Sequence, residues 1–311
     1  MTDYKQKFDL LIRNYFKNIN CFTDFVNGTY FHGNQIIYVN DVKLYDGEYS
    51  GKLLNKSYVK RSRDNLMSIY VGNHESLVAF EHQSTYDGSI FQRVMEYDYL
   101  TYKRQYLDYK QTQRKRKIMS TMTIVLYYGY KKWKHPLSYH DMMKSIPQEL
   151  RLFINTNFYP LIIVDELDES LFQEKKNKQL ILGLKFIHNK IEKQEMLYVD
   201  YEVGEILSVL AGDEEAFKHI QVNKEGEIDM CEYITEMKRR ERKLGEKEGL
   251  KKGRLNEKCE TLIQLLKVKL NHLSKDTEKI IYQSNMDKLN QLTIKIFQVN
   301  NEEDVKTILE N

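Results

Sequence analysis

Two apolar runs, Asn65 to Val71 and Leu77 to Glu81, flank the dipeptide Gly72-Asn73. Gly-Asn between such runs signals a two-residue β-hairpin, because the turns that match strand twist need positive φ, which glycine adopts without steric cost. A two-residue loop also sets the register, since each cross-strand pair then lies symmetrically about the turn. Glu75 faces Tyr70, Leu77 faces Ser68, Ala79 faces Leu66, and one step further Glu81 faces Asp64. Directly opposed residues hold their Cβ atoms about 4.5–5.5 Å apart on one face. Side-chain alternation places Gln83 on that same face. The hairpin therefore brings two carboxylates and an amide to one patch at its open end.

The flanking pattern predicts what the hairpin belongs to. Phe8, Leu11, Ile12 and Tyr15-Phe16 are spaced for an amphipathic helix within the first twenty residues. A turn-rich stretch from Asn27 to Gly51 follows, with Gly28, Gly33, Gly47 and Gly51 as loop markers. Ser89 to Tyr109 reads as a helix with Ile90, Val94, Tyr97 and Leu100 along one face. Met122 to Tyr128, ending at Gly129, and Tyr159 to Val164, ending in the acidic stretch Asp165 to Glu169, read as buried strands. This order of helix, hairpin, helix and strand predicts an α/β domain with a mixed sheet. Beyond Leu180 the chain turns helical and more acidic, and Met230 to His272 reads as one long polar helix. Within it Gly245, Gly249 and Gly253 share a side and suggest a face that another backbone approaches, the alternative being a broken, flexible linker. The expected division is residues 1–225, carrying the chemistry, and residues 226–311, a helical region that assists self-association.

Charge separates the two halves. Residues 1–140 hold 21 Lys and Arg against 13 Asp and Glu, whereas the remainder holds 27 against 32. Positive charge thus gathers where the carboxylate patch lies, as binding to a phosphate backbone requires. No apolar run approaches the roughly 20 residues of a bilayer span, and Met1 to Lys5 lacks the apolar stretch of a secretion signal. Cys21, Cys231 and Cys259 lie far apart, as reduced thiols rather than a metal cluster. A cytoplasmic protein that does not enter membranes is expected.

Two carboxylates held together cannot both ionise cheaply without a cation. A hard divalent ion such as Mg²⁺, or Mn²⁺ or Ca²⁺ in its place, resolves that repulsion and can activate water against a phosphodiester. Lys60, Arg61 and Arg63 stand ready to neutralise a nucleic-acid backbone beside it. The bland alternative is a solvated Asp–Glu pair at a basic strand end. His82, between Glu81 and Gln83, falls on the opposite face and is expected to be structural. His74, His135 and His140 have no partner at zinc-ligand spacing, Cys259 reads as a small apolar filler, and Arg114 to Lys117 as a solvated loop. The 23 tyrosines are spread along the chain and form no evident stacking motif.

The residues Arg63-Asp64, Phe80-Glu81-His82-Gln83-Ser84, Arg93 and Tyr97 together resemble the Rpn family of recombination-promoting nucleases, also labelled transposases of the PD-(D/E)XK superfamily. Asp24-Phe25-Val26-Asn27 with Phe31-His32-Gly33, Thr123 to Gly129 with Trp133, Asp229-Met230-Cys231 and the Gly245–Gly253 segment extend the similarity over most of the chain. The resemblance implies a restriction-endonuclease-like core, in which a central sheet is flanked by helices, and DNA as substrate. It implies Asp64 and Glu81 as metal ligands, and Gln83 where most of the superfamily has a water-orienting lysine. It also implies Arg61, Arg63, Arg93 and Tyr97 as DNA-binding or supporting groups, and Asp24 as a member or neighbour of the metal site. Arg63, and no proline, precedes Asp64, a departure that leaves the chemistry intact. The rival expectation is a catalytically inactive DNA-binding or protein-interaction remnant of a mobile element.

Overall fold

The computed structural model describes residues 3–52, 58–112, 117–134, 147–150, 160–191 and 197–310. His135, His140 and Arg114 to Arg116 lie outside the described residues. The chain divides into two compact units, Met1–Thr235 and Glu236–Asn311.

The first unit opens with helices α1 (Asp3–Tyr15) and α2 (Ile19–Tyr30), followed by short strands β1 (Val42–Leu44), β2 (Glu48–Lys52) and β3 (Tyr58–Ser62). The hairpin comes next, as β4 (Asn65–Val71) and β5 (His74–Gln83). Helix α3 (Ile90–Thr112) leads to β6 (Ser120–Tyr127), then β7 (Leu161–Ile163) and α4 (Lys175–Ile187). A ribbon of β8 (Tyr198–Asp200) and β9 (Glu227–Asp229) brackets α5 (Tyr201–Ala211) and the short α6 (Glu214–Phe217).

Five strands form the central sheet in the order β1-β4-β5-β6-β7. Strand β5 pairs antiparallel with β4 and parallel with β6, so the sheet is mixed and the hairpin sits at its centre. The β4–β5 partners are Tyr70 with Glu75, Ser68 with Leu77 and Leu66 with Ala79, as the two-residue turn dictates. Of the two turn residues only Gly72 has positive φ, +59°, the pattern of a type II′ turn whose first central position calls for glycine. A helix-flanked mixed sheet of this kind is the restriction-endonuclease-like α/β architecture.

Alternation along β5 sends Phe80 and His82 to one side of the sheet. There Phe80 meets Phe16 and Phe25 edge-on and lies 4.4 Å from Phe22, centroid to centroid. Glu81 and Gln83 share the other side with their parallel partners Val125 and Tyr127, which pack against Ile90, Phe91 and Val94 of α3. The stretch from Asn27 departs from expectation, because α2 runs on through Tyr30. Gly28 sits inside that helix, where an added Cβ would come within 2.5–2.8 Å of the Phe172 ring. Close packing, and no turn, explains this glycine.

The second unit is a small helical assembly. Helix α7 (Met230–Leu270) is the long polar helix of the sequence, and its last turns pack with α8 (Lys275–Gln283), α9 (Met286–Lys295) and α10 (Glu302–Glu310). Cys259, Leu262, Leu266, Ile281, Leu289, Leu292, Val305 and Leu309 form its core, and Ser274 and Asn285 cap α8 and α9 through Thr277 N–H and Lys288 N–H. Around Gly245, Gly249 and Gly253 an added Cβ would meet nothing within 4 Å, so no described part of this chain makes the close approach their spacing suggested. Among the described residues no helix is long and apolar enough to cross a membrane.

Candidate active site

Glu81 and Gln83 are both 2% exposed, on alternate residues of the central strand. Each keeps one buried side-chain oxygen, Oε1, with no hydrogen-bond partner among the described residues. The Gln83 amide nitrogen donates to the His82 carbonyl at 2.7 Å, which holds the side chain and leaves its oxygen bare. Buried acceptors without donors are costly and uncommon, and two on one strand face call for a cation or a donor from outside the chain.

Asp64 lies just before β4, one step beyond the last paired residue, Asn65. It accepts the His82 backbone N–H at 2.8 Å through one oxygen and meets the Arg13 guanidinium at 2.5 Å through the other. Burial pushes the Glu81 carboxyl well above the usual range, and the Asp64 charge pushes it the same way. Arg63, Arg93 and Arg13 pull against both. The Glu81 carboxyl is therefore disfavoured as an anion first by its burial and then by the Asp64 charge.

Sequence reasoning overlooked two residues here. Asp9, in α1, is half-buried, and burial followed by the Asp64 charge raises its carboxyl. Arg13, one turn later, supplies the Asp64 counter-ion. An acid and a base four residues apart read as an ordinary surface pair. Only their position flanking Phe8 and Ile12, both fully buried, hinted that they border a packed site.

The other expected residues are distributed as follows. Arg63 is buried, donating to Thr123 Oγ1 at 2.6 Å and pairing with Asp98, with its guanidinium carbon 5.7 Å from the Tyr97 ring centre. Both Arg63 and Tyr97 are therefore buried inside the fold. Arg93 pairs with Asp87 at 2.9 Å while its charge reaches Glu81 and Asp9. Arg61 lies in β3 opposite Tyr49, and its side chain is outside the described residues.

Asp24 has a different task from the one expected. Its oxygens accept from Gln173 N–H at 2.6 Å, Glu174 N–H at 3.1 Å and the Asn177 side-chain amide at 2.7 Å, so it ties the chain entering α4 to α2. Three of the roughly four acceptor sites of this carboxylate are thus taken by contacts within the fold. Asp24→Ala is expected to cost about 2–3 kcal/mol, the scale of losing buried charge-assisted hydrogen bonds and leaving their donors unpaired. Urea unfolding checks this, and divalent-ion affinity of the folded variant should stay unchanged.

His82 proves structural in the expected way. Asn65 donates its amide N–H to the Arg13 carbonyl, so its oxygen is left to accept from His82 Nε2 at 2.8 Å. Nδ1 then accepts from the Tyr128 hydroxyl at 3.1 Å, and the ring stacks on Phe16. This chain ties the backbone beside Asp64 to α1. Burial, aided by Arg13, drives the imidazole down to about 4. The unfolded chain therefore binds more protons between about 6.5 and 4, so this contribution is complete above pH 6.5 and is lost as pH falls through that window. Its full value is on the order of 3 kcal/mol. Replacing His82 with Gln should flatten the acid limb of a Tm-versus-pH curve over that window.

The Asp64 and Glu81 carboxylates, with the bare Gln83 oxygen free to accept from a water, suit Mg²⁺, which takes few protein ligands and keeps waters. Among the described residues no group of three or more His, Cys, Asp and Glu side chains is placed to hold a metal ion.

Fold and site together define an α/β protein with a buried acidic patch at the open end of its central hairpin. Residues 6–217 match a family model described as "Putative transposase, YhgA-like". The chain belongs to that family. No curated protein and no solved structure matches it.

Proposed function

We propose that this protein is a divalent-metal-dependent DNA endonuclease acting in recombination or the movement of mobile elements. The observation that carries the reading is the pair of donorless buried oxygens on Glu81 and Gln83, beside an Asp64 whose charge already strains the ionisation of Glu81. The family's transposase label supplies DNA as the substrate class.

Asp64 and Glu81 would hold the ion. When bound, Mg²⁺ supplies the charge that polarises a phosphodiester and lowers the pKa of a water beside it. Gln83 accepts a hydrogen bond from the attacking water and so orients it. An amide carries no charge, so activation falls to the rest of the site. Arg63 and Arg93 limit the cost of ionising Glu81 from within the fold. Arg13 balances the Asp64 charge, and an ion held by Asp64 would compete with it for that oxygen. Three free cysteines fit a reducing, cytoplasmic setting. Self-association through the exposed 241–254 stretch of α7 belongs to the same reading, and sedimentation velocity with and without residues 236–311 tests it.

Supercoiled plasmid is the test substrate. Nicking should appear with Mg²⁺ or Mn²⁺, vanish with EDTA, and vanish in Asp64→Ala. Binding without nicking under every metal, unchanged in that variant, would instead mark a non-catalytic DNA-binding protein.

A further inference from the structure

Helix α3 turns Ile90, Val94, Tyr97, Thr101 and Gln105 into the fold. At about 100° per residue, Tyr99, Lys103, Tyr106 and Lys110 fall within about 60° of one another on the opposite side. This face is exposed and aromatic: Tyr99 is 62% and Tyr106 46% open to solvent, and Tyr102 and Tyr109 flank them. Lys103 places its ammonium 5.8 Å from the Tyr99 ring centre, and Lys110 does the same over Tyr106 at 5.1 Å. Two identical tyrosine–lysine steps, seven residues apart, therefore repeat along the helix. The tyrosines that look scattered in sequence converge here because the spacing 99, 102, 106, 109 follows the helical period.

We infer that this face of α3 is a stacking platform for single-stranded DNA. Each ring carries a cation on one face and leaves the other for a base, while the ammonium lies where a phosphate can approach. Between residues 99 and 112 the helix carries Lys103, Arg104 and Lys110 against the single acidic residue Asp108, a charge that complements a nucleic-acid strand. A protein partner fits less well, since lysine is depleted in protein interfaces whereas tyrosine alone would suit either. The rise from Tyr99 to Tyr106 is about 10 Å, roughly three nucleotide steps of a stacked strand. Arg93, whose charge reaches Glu81, precedes Tyr99 by about 9 Å along the same helix. An unpaired strand held on the platform would thus lead toward the carboxylate patch.

The partner class rests on the DNA-acting reading, but the test does not depend on cleavage. Fluorescence anisotropy of a labelled oligothymidine with the full chain in EDTA measures binding in the absence of any metal. The Tyr99→Ala/Tyr106→Ala variant should weaken binding by roughly five- to 150-fold per ring, whereas Tyr99→Phe/Tyr106→Phe should bind as the parent does. Lys103→Gln/Lys110→Gln should reduce the salt slope by about 1.4, the counterions of two single-strand phosphates. No binding by the parent chain, or equal binding by the alanine variant, overturns the inference. So does a fall in sedimentation coefficient on alanine substitution with DNA binding unchanged, which would reveal a face between copies of the protein. A chain that binds oligothymidine in this way but never nicks plasmid would keep the platform and lose the nuclease.

Discussion

Asp64→Asn is expected to lower metal-dependent nicking about a thousandfold while leaving the fold in place. The amide keeps the shape of the carboxylate and can still accept the His82 N–H that anchors the strand end. What it loses is the charge that holds a cation beside Glu81. Metal stabilisation of a phosphoryl transition state amounts to several kcal/mol, and each 1.36 kcal/mol is tenfold in rate, which gives the scale. The same variant should remove one cause of the raised Glu81 carboxyl. A rate within about tenfold of the parent would mean that Asp64 is only a partner for Arg13 and that its position beside Glu81 has no catalytic use.

Glu81→Gln should pull activity and stability in opposite directions. Nicking should fall on the same thousandfold scale, because the second carboxylate is gone. In EDTA, however, the variant should be the more stable protein at neutral and alkaline pH. A carboxyl raised above its unfolded value of about 4.3 binds more protons in the folded state. Its contribution to stability is complete below that value and is lost as pH rises through the window up to its raised folded value. Glutamine does not titrate and escapes the loss. A gain of about 1 kcal/mol or more corresponds to roughly 2–4 °C in Tm for a unit of this size. The difference between variant and parent should shrink toward pH 4, and saturating Mn²⁺ should restore the parent alone. Equal melting curves at every pH would show that Glu81 is not under the stress its surroundings imply.

Much of this could be read from local rules. A two-residue turn at Gly72-Asn73 leaves one register, and that register alone aligns Leu66 with Ala79 and points Glu81 and Gln83 away from His82. The strand at Met122 was legible because its β-rich run is continuous, as a central parallel strand buried on both faces requires. Contributions from distant segments were not legible. Asp9 and Arg13 reach the site because α1 packs across the sheet, and no spacing in sequence reports that. Asp24 looked like a further acidic ligand, but its partners lie about 150 positions away at the start of α4. Gly28 looked like a turn until Phe172 arrived against it. Gly245, Gly249 and Gly253 face open space in this chain, and spacing was not read literally enough in α3, where the tyrosines share a helical face.

The central claim is that Asp64 and Glu81 share a cation at the open end of the hairpin. Anomalous diffraction from crystals of the full chain soaked in Mn²⁺ tests it most directly. The account predicts one strong peak bonded to a carboxylate oxygen of each residue, at about 2.0–2.3 Å, with the Arg13 guanidinium withdrawn from Asp64. Crystals that take up Mn²⁺ elsewhere, while Asp64 stays paired with Arg13 and Glu81 stays bare, would contradict it.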